Sequence, residues 1–110
     1  VITNSNQLIS GSSDYSIKIW NLNNFELFKT LDVLLNPIKC LAISPNGKLI
    51  CTSNSKIKIW DLDNSELVKT INVHDGDINY LILDKNGNIV TAGSDKLIKI
   101  WNIESGKCLK

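Results

Sequence analysis

His74 is the only histidine of the 110-residue chain, so it is the side chain best suited to transfer a proton near neutral pH. With Thr91 and Asp95 it supplies the residue types of a nucleophile, a base and an orienting acid, a set that recurs on unrelated folds. Cys40 is a second possible nucleophile, but it begins a run of four apolar residues that predicts a packed strand. The sequence also lacks the G-x-S-x-G motif that presents a nucleophilic serine. The residue types alone therefore permit a proton-transfer site but do not favour one.

Asp75 and Asp77 lie beside His74 and raise the question of a metal site. The chain has no second histidine, and the spacing of an EF-hand calcium loop is absent from it. A glycine-rich loop of the kind that binds phosphate is absent as well. We therefore expect the two aspartates to belong to a solvated loop, with no metal and no cofactor.

The charge and the apolar runs of the chain argue against two classes of partner. The net charge is +1, and all 12 basic residues are lysines, so the bidentate arginine contacts typical of nucleic-acid readers are missing. The longest apolar runs cover a handful of residues, whereas a membrane-spanning helix needs about 18. The sequence predicts binding to neither nucleic acid nor membrane.

The number and spacing of the cysteines indicate in which cellular compartment the protein is expected. Cys40, Cys51 and Cys108 are odd in number and form no C-x-x-C pair, so we expect reduced thiols that pack as small apolar side chains. The chain is rich in asparagine but has no N-x-Ser/Thr acceptor for glycosylation. These features favour an intracellular protein, in the cytoplasm with the nucleus as an alternative.

The sequence repeats with a period of about forty residues. Trp20, Trp60 and Trp101 each follow the same Ile-Lys-Ile segment, at spacings of 40 and 41 residues. Two further markers recur at forty residues, namely segment 26–31 as 66–71 and turn 45–48 as 85–88. Three markers at one period identify an internal repeat.

Each repeat has the pattern of short strands. Runs of Ile, Val, Leu and Trp are broken by Asn, Gly, Asp and Ser, and the Asn-Gly pairs predict tight hairpins of type I′. The last repeat is expected to contain strands at 78–83, 89–93 and 97–102 and a fourth that starts at Lys107. Several of these strands are apolar on both faces, which is typical of sheets that are covered on both sides.

Four-stranded units of this length, each with Trp followed by Asp or Asn, resemble the WD-repeat propeller family over essentially the whole chain. The resemblance implies an all-β fold of consecutive four-stranded antiparallel blades in an incomplete ring. Residues 1–31 would form a partial blade, 32–71 a complete one, and 72–110 a blade truncated in its outer strand. Because both termini fall inside a blade, we expect the chain to be part of a longer one, joined to the remaining blades of that propeller.

In that family a histidine, a hydroxyl residue, an aspartate and the tryptophan form a buried polar network in each blade. The resemblance places these roles on His74, Thr91, Asp95 and Trp101 in the last blade, and on Ser10, Asp14 and Trp20 in the first. The middle blade keeps Trp60 but has Leu34 at the histidine position, Cys51 near the hydroxyl position and a turn one residue short without its aspartate. The resemblance thus assigns His74 a structural role, and we expect no catalytic residue.

The function implied by the resemblance is that of a non-catalytic scaffold for protein or peptide partners. The alternative is that these blades regulate a larger enzyme whose catalytic domain lies outside this sequence. Partner contacts are expected on one rim, in the loops before the inner strands and the turns before the tryptophan strands. The candidates are Asp75, Asp77, Asn79 and Ser94 in the last blade, Asn36, Lys39 and Asn54 in the middle blade, and Ser13 and Tyr15 in the first.

Overall fold

The structure of the chain is a computed structural model that describes residues 2–3, 6–11, 14–32 and 38–110. Within these residues the chain forms ten β-strands and no helix. The strands are β1 (Gln7–Gly11), β2 (Ser16–Asn21), β3 (Glu26–Asp32), β4 (Cys40–Ile43), β5 (Leu49–Ser53), β6 (Lys56–Asp61), β7 (Glu66–Asn72), β8 (Ile78–Leu83), β9 (Ile89–Gly93) and β10 (Ile98–Trp101).

The strands form three antiparallel sheets in chain order: β1 to β3 make the first blade, β4 to β7 the second, and β8 to β10 the third. An isolated pairing of Ile2 with Leu8 adds the end of an inner strand to the first blade. A pairing of Cys108 with Trp101 begins an outer strand in the third. The predicted all-β fold of consecutive antiparallel blades in an incomplete ring is confirmed.

The three tryptophans hold equivalent places in the three blades. Each lies opposite an apolar residue of the second strand of its blade: Trp20 opposite Leu8, Trp60 opposite Leu49, and Trp101 opposite Ile89. The first and second sheets end at Asp32 and Asn72, one residue beyond the limits expected from the repeat.

The second blade is covered on both of its faces. All five residues of β5 are buried, and its side chains alternate between two cores. Leu49 and Cys51 belong to the core shared with the first blade, whereas Ile50 belongs to the core shared with the third. A fully buried side chain of this size contributes roughly 1.5–3 kcal/mol, so the packing of blade on blade is the main source of stability.

The Asn-Gly hairpins differ from the predicted type I′ turn. The Gly47 N–H donates to the Ser44 carbonyl, and only the glycine of the pair has a positive φ, of 82°. This is a type I turn followed by a left-handed glycine, which makes a three-residue hairpin loop. The prediction was wrong because the Asn-Gly pair fills the third and fourth positions of the turn, behind Pro45, whose fixed negative φ suits the second position of a type I turn. The second hairpin forms the same turn with Lys85 in that position, and there the Asp84 carboxylate accepts hydrogen bonds from the Asn86 and Asn88 N–H groups.

We expect Gly47→Ala to lower the free energy of unfolding by about 1 kcal/mol, because an L-residue with a side chain is strained at this φ. A Cβ at this position meets no atom within 4 Å, so backbone conformation alone causes the loss. Gly47→Asn should cost less, because asparagine tolerates the left-handed region better than alanine does. Urea unfolding of the two variants measures the order, and an equal loss in both would contradict the assignment.

Candidate protein-binding rim and its buried support

A buried polar cluster joins three segments of the third blade. His74 lies between β7 and β8, Thr91 lies within β9, and Asp95 lies in the turn from β9 to β10. The His74 Nδ1 atom is 2.9 Å from both carboxylate oxygens of Asp95, and its Nε2 atom is 2.9 Å from the Thr91 Oγ1 atom. Three of the four residues that the resemblance assigned to this network are therefore in direct contact.

The partners of the imidazole determine where its proton lies. A carboxylate only accepts hydrogen bonds, so Nδ1–H donates to Asp95, and in the neutral ring Nε2 accepts from the Thr91 hydroxyl. The backbone N–H groups of Leu97 and Asp75 donate to the same carboxylate at 3.1 and 3.3 Å. Burial by itself raises the pKa of Asp95, but the hydrogen bonds from His74 and the two N–H groups outweigh it and hold that pKa below its usual value.

This cluster is closed to a substrate. Thr91 has no exposed area, and neither has the His74 side chain, so a reacting group has no path to the threonine hydroxyl. Cys40, the other possible nucleophile, directs its thiol to the carbonyl of Asn79 at 3.8 Å and not to the imidazole. The cluster acts instead as a clamp between the loop before β8 and the turn before β10.

Gly93 belongs to this clamp and was not identified from the sequence. A Cβ atom there would lie 2.5 Å from the His74 ring and 2.8 Å from the Asp95 Oδ1 atom. Its φ is not positive, so the position requires glycine for lack of space and not for its conformation. The other two repeats have Ser12 and Ser53 here, and this shared small size was the available signal.

Trp101 does not join the cluster, which corrects the network that the resemblance implied. Its indole nitrogen is buried and has no hydrogen-bond partner among the described residues. The ring packs into the apolar core between the second and third blades, and the Lys99 Nζ atom lies 5.9 Å from the ring centre. Apolar packing and the lysine therefore orient this ring, and its N–H does not.

The residues assigned to the network of the first blade also form hydrogen bonds. The Trp20 indole donates to the Ser10 hydroxyl at 3.3 Å. Asp14 accepts hydrogen bonds from the N–H and the hydroxyl of Ser16 at 3.1 and 2.6 Å, and so stabilises the start of β2.

In the middle blade Cys51 replaces the hydroxyl residue of its neighbours. Burial raises the pKa of its thiol to about 11, although the nearby Trp60 indole and the Lys58 cation oppose that rise. The Trp60 indole nitrogen lowers the pKa of the thiol but does not reach hydrogen-bond geometry with it. This nitrogen has no hydrogen-bond partner within the described part of the chain. Apolar packing alone therefore stabilises Cys51 and Trp60 in the middle blade, and the neutral thiol packs in the core as a small apolar side chain.

The candidate partner residues are exposed wherever the structure describes them. These are Asp75, Asp77, Asn79, Ser94, Lys39, Asn54 and Tyr15. Ser13 and Asn36 lie outside the described residues, as does Leu34. Lys39, Asn54 and Asp77 come together around a cleft of about 170 Å³ between the second and third blades, with Ile38 and Ile78 as its apolar lining. Asp75, Asn79, Ser94 and Tyr15 do not line this cleft.

The backbone around this cleft is held by hydrogen bonds within and between blades. The Ile78 N–H of the third blade donates to the Asn54 carbonyl of the second at 2.7 Å, and the Val73 N–H donates to the Ser55 carbonyl at 3.0 Å, which extends the pairing of β7 with β6. Within the third blade, the Ser94 N–H donates to the Asp77 carbonyl at 2.8 Å. The short turn of the middle blade is therefore fixed to the loop that carries the aspartates.

Two larger clefts, of about 350 and 450 Å³, lie on the opposite rim. The first lies between the two Asn-Gly turns, and the second lies between the first of these turns and the segment that contains Thr3 and Gln7. Their polar groups are largely satisfied within their own turns. The backbone N–H groups of Asn86 and Asn88, for example, donate to the Asp84 carboxylate, which lowers the pKa of that carboxyl. The carboxylates of Asp75 and Asp77 have no partner among the described residues, as is also true of Asp63 and Glu104 at the larger clefts.

Among the described residues, no three His, Cys, Asp or Glu side chains converge as a metal site requires. No helix in the same residues is long and apolar enough to cross a membrane.

Comparisons with known proteins agree with this architecture. The family model described as WD domain, G-beta repeat matches residues 2–21, 28–61 and 65–102. The fold is similar to the WD40 β-propeller domain of Doa1, with a TM-score of 0.86 and 29% sequence identity. That similarity covers 100% of this chain but only 38% of the Doa1 chain. A comparison with curated proteins gives no match.

The clamp predicts a large effect of a small substitution. We expect Gly93→Ala to lower the free energy of unfolding by about 1–3 kcal/mol, because the added methyl group overlaps the His74 ring and forces the clamp apart. Gly76→Ala is the matched control, since its Cβ would meet mainly the Ser94 hydroxyl, which can rotate away. Chemical denaturation compares the two, and an equal loss in both would contradict the role of Gly93.

The lowered pKa of Asp95 predicts how the clamp responds to acid. A carboxyl whose pKa is lower in the folded state stabilises the fold fully above its unfolded pKa of about 3.9, and this contribution disappears as the pH falls through the folded value. Asp95→Asn should therefore lower the thermal midpoint clearly at pH 6 and much less at pH 3. A loss of the same size at both values would show that the ionised carboxylate does not stabilise the folded chain.

Proposed function

Because this chain belongs to the WD40-repeat family, whose propellers generally serve as non-catalytic scaffolds that bind other proteins, we propose that it binds a protein or peptide partner at the cleft between its second and third blades. The observation that carries the proposal is the meeting of Lys39, Asn54 and Asp77 around this cleft. These residues come from two blades and from segments far apart in the sequence.

The side chains at the cleft suit a polypeptide ligand. Asp75 and Asp77 offer carboxylates with no partner in the described structure, which can accept hydrogen bonds from backbone N–H groups or basic side chains. Lys39 is held by Asn79, whose Oδ1 atom lies 3.0 Å from the Nζ atom. A hydrogen-bond donor of the ligand can replace the Lys39 ammonium at the Asn79 amide oxygen. The released ammonium can then bind a carbonyl or carboxylate of the ligand.

The rigidity of the cleft favours binding. The inter-blade hydrogen bonds fix the backbone of Asn54 and Ile78, and the His74–Asp95 clamp fixes the loop that carries Asp75. A ligand therefore meets side chains whose backbone is already ordered, which lowers the entropy cost of association.

The charges at and beside the cleft are mixed: Asp77 and Lys39 line it, and Asp75 lies two residues from Asp77 in the same loop. Recognition is accordingly expected to depend mainly on hydrogen bonds and only modestly on salt. An intracellular location belongs to the same proposal and is supported by the three free thiols.

Charge reversal at the cleft tests the proposal. The chain would be used to select binders from a phage library of random peptides, and the affinity of a selected peptide would be measured by calorimetry. We expect the double variant Asp75→Lys, Asp77→Lys to weaken that affinity by about tenfold or more, equivalent to 1.4 kcal/mol, while the thermal midpoint is unchanged.

The matched control is the double variant Asn46→Lys, Asn86→Lys, which places the same charges in exposed turns of the opposite rim. It should keep the affinity of the parent chain. Equal losses in the two double variants, or no loss in either, would exclude this cleft as the binding site.

A further inference from the structure

Two Asn-Gly pairs lie in equivalent turns of the second and third blades, and each pair contains the groups of an intramolecular reaction. The backbone nitrogen of a glycine that follows asparagine can attack the amide carbon of the asparagine side chain, because glycine has no side chain to hinder the approach. Asn46 and Asn86 are both exposed, so water reaches each of them. The structure gives the two pairs different surroundings, which favour the reaction at one pair and oppose it at the other.

The hydrogen bond across the turn does not distinguish the two pairs. The Gly47 N–H donates to the Ser44 carbonyl at 2.9 Å, and the Gly87 N–H donates to the Asp84 carbonyl at 3.0 Å. Both glycines have a φ of 82°. Each nitrogen is therefore released by the same local opening of its turn, and a difference in reactivity must come from the groups around it.

The residue that begins the turn is the first difference. In the second blade the Ser44 hydroxyl donates to the Oδ1 atom of Asn46 and accepts from the Lys48 N–H at 2.9 Å. A donor on that oxygen makes the amide carbon more electrophilic and stabilises the negative charge that develops on the oxygen during the attack. The serine therefore assists the reaction at Asn46.

Asp84 holds the same place in the third blade and has the opposite effect. Its carboxylate accepts hydrogen bonds from the N–H groups of Asn86 and Asn88 at 2.8 and 2.9 Å and from the Asn88 side chain at 3.1 Å. The Gly87 N–H also interacts with this carboxylate and helps to lower its pKa. An anion so close opposes the loss of the proton from that nitrogen, because two negative charges would then adjoin.

The space around each glycine is the second difference. A Cβ atom on Gly47 would meet no atom within 4 Å, so the peptide bond between Asn46 and Gly47 has room to turn toward the side chain. A Cβ atom on Gly87 would lie 3.2 and 3.4 Å from the Cγ and Cδ atoms of Pro45, because this glycine packs against the neighbouring turn. A contact between blades therefore opposes the same rotation at Asn86.

From these observations we propose that Asn46 is a site of spontaneous conversion to aspartate or isoaspartate, and that Asn86 is protected from the same reaction. The Gly47 nitrogen gives its proton to hydroxide and bonds to the Asn46 Cγ atom. The bond from Cγ to Nδ2 then breaks, and the nitrogen takes a proton from water and leaves as ammonia. Water opens the resulting cyclic imide at either carbonyl carbon, which gives aspartate in one case and isoaspartate in the other.

The reaction alters the rim opposite the candidate binding cleft. Asn46 lines the cleft of about 350 Å³ there, together with Asn86 and Glu104. Either product adds a negative charge to this cleft, and isoaspartate also lengthens the backbone of the turn by one atom. The charge and the shape of this rim therefore change as the protein ages.

Incubation of the folded protein at neutral pH, followed by proteolysis and mass spectrometry, measures both sites in one sample. Conversion of the amide to the acid increases the peptide mass, and fragmentation by electron transfer distinguishes isoaspartate from aspartate. We expect Asn46 to react roughly three- to tenfold faster than Asn86, the rate equivalent of one hydrogen bond. In denaturant the two sites should react at similar rates, because the difference arises from the fold.

Exchange of the residues that begin the turns tests the cause. Ser44→Asp gives the first turn the carboxylate of the second and keeps an acceptor for the Lys48 N–H, so it should slow the reaction at Asn46. Asp84→Ser should speed the reaction at Asn86. Equal rates in the folded parent protein, a faster Asn86, or a difference that persists in denaturant would overturn the proposal, and so would rates that do not follow the exchanged residues. The comparison in the parent protein requires neither variant, and none of these outcomes depends on the peptide-binding cleft.

Discussion

Burial of both faces of each sheet is the constraint on which this structure depends. A strand such as β5, with every side chain buried, is stable only when a blade stands on each side of it. Leu49 and Cys51 pack in the core shared with the first blade, and Ile50 packs in the core shared with the third. This one short strand therefore stabilises both junctions.

The loops at the rim are positioned by this packing and also by polar contacts. The cores fix the blades, but the loops themselves have few apolar contacts. In the third blade the His74–Asp95 pair and Gly93 hold the loop before β8 against the neighbouring turn. The residues that suggest catalysis thus order the loop that carries Asp75 and Asp77, because Asp95 accepts hydrogen bonds from His74 and from the Asp75 N–H.

The middle blade shows that the polar clamp is not essential for a blade that has two neighbours. Cys51 fills the hydroxyl position as a neutral thiol, and Trp60 packs without a hydrogen bond. Its shortened turn compensates in another way, because Asn54 accepts a hydrogen bond from Ile78 of the third blade and Ser55 accepts from the segment that connects the two blades. The loss of the network in one blade is offset by contacts with the next.

The sequence by itself determined the repeat, the strand order and the equivalence of Trp20, Trp60 and Trp101, because hydrophobic periodicity and turn residues are local properties. It also brought His74, Thr91 and Asp95 together through the resemblance. The turn type at Gly47, the need for Gly93 and the missing Trp101 hydrogen bond were decided by the tertiary structure. Each depends on distances between atoms of different strands, which spacing along one chain does not encode. The meeting of Lys39 with Asp77 across two blades has the same origin.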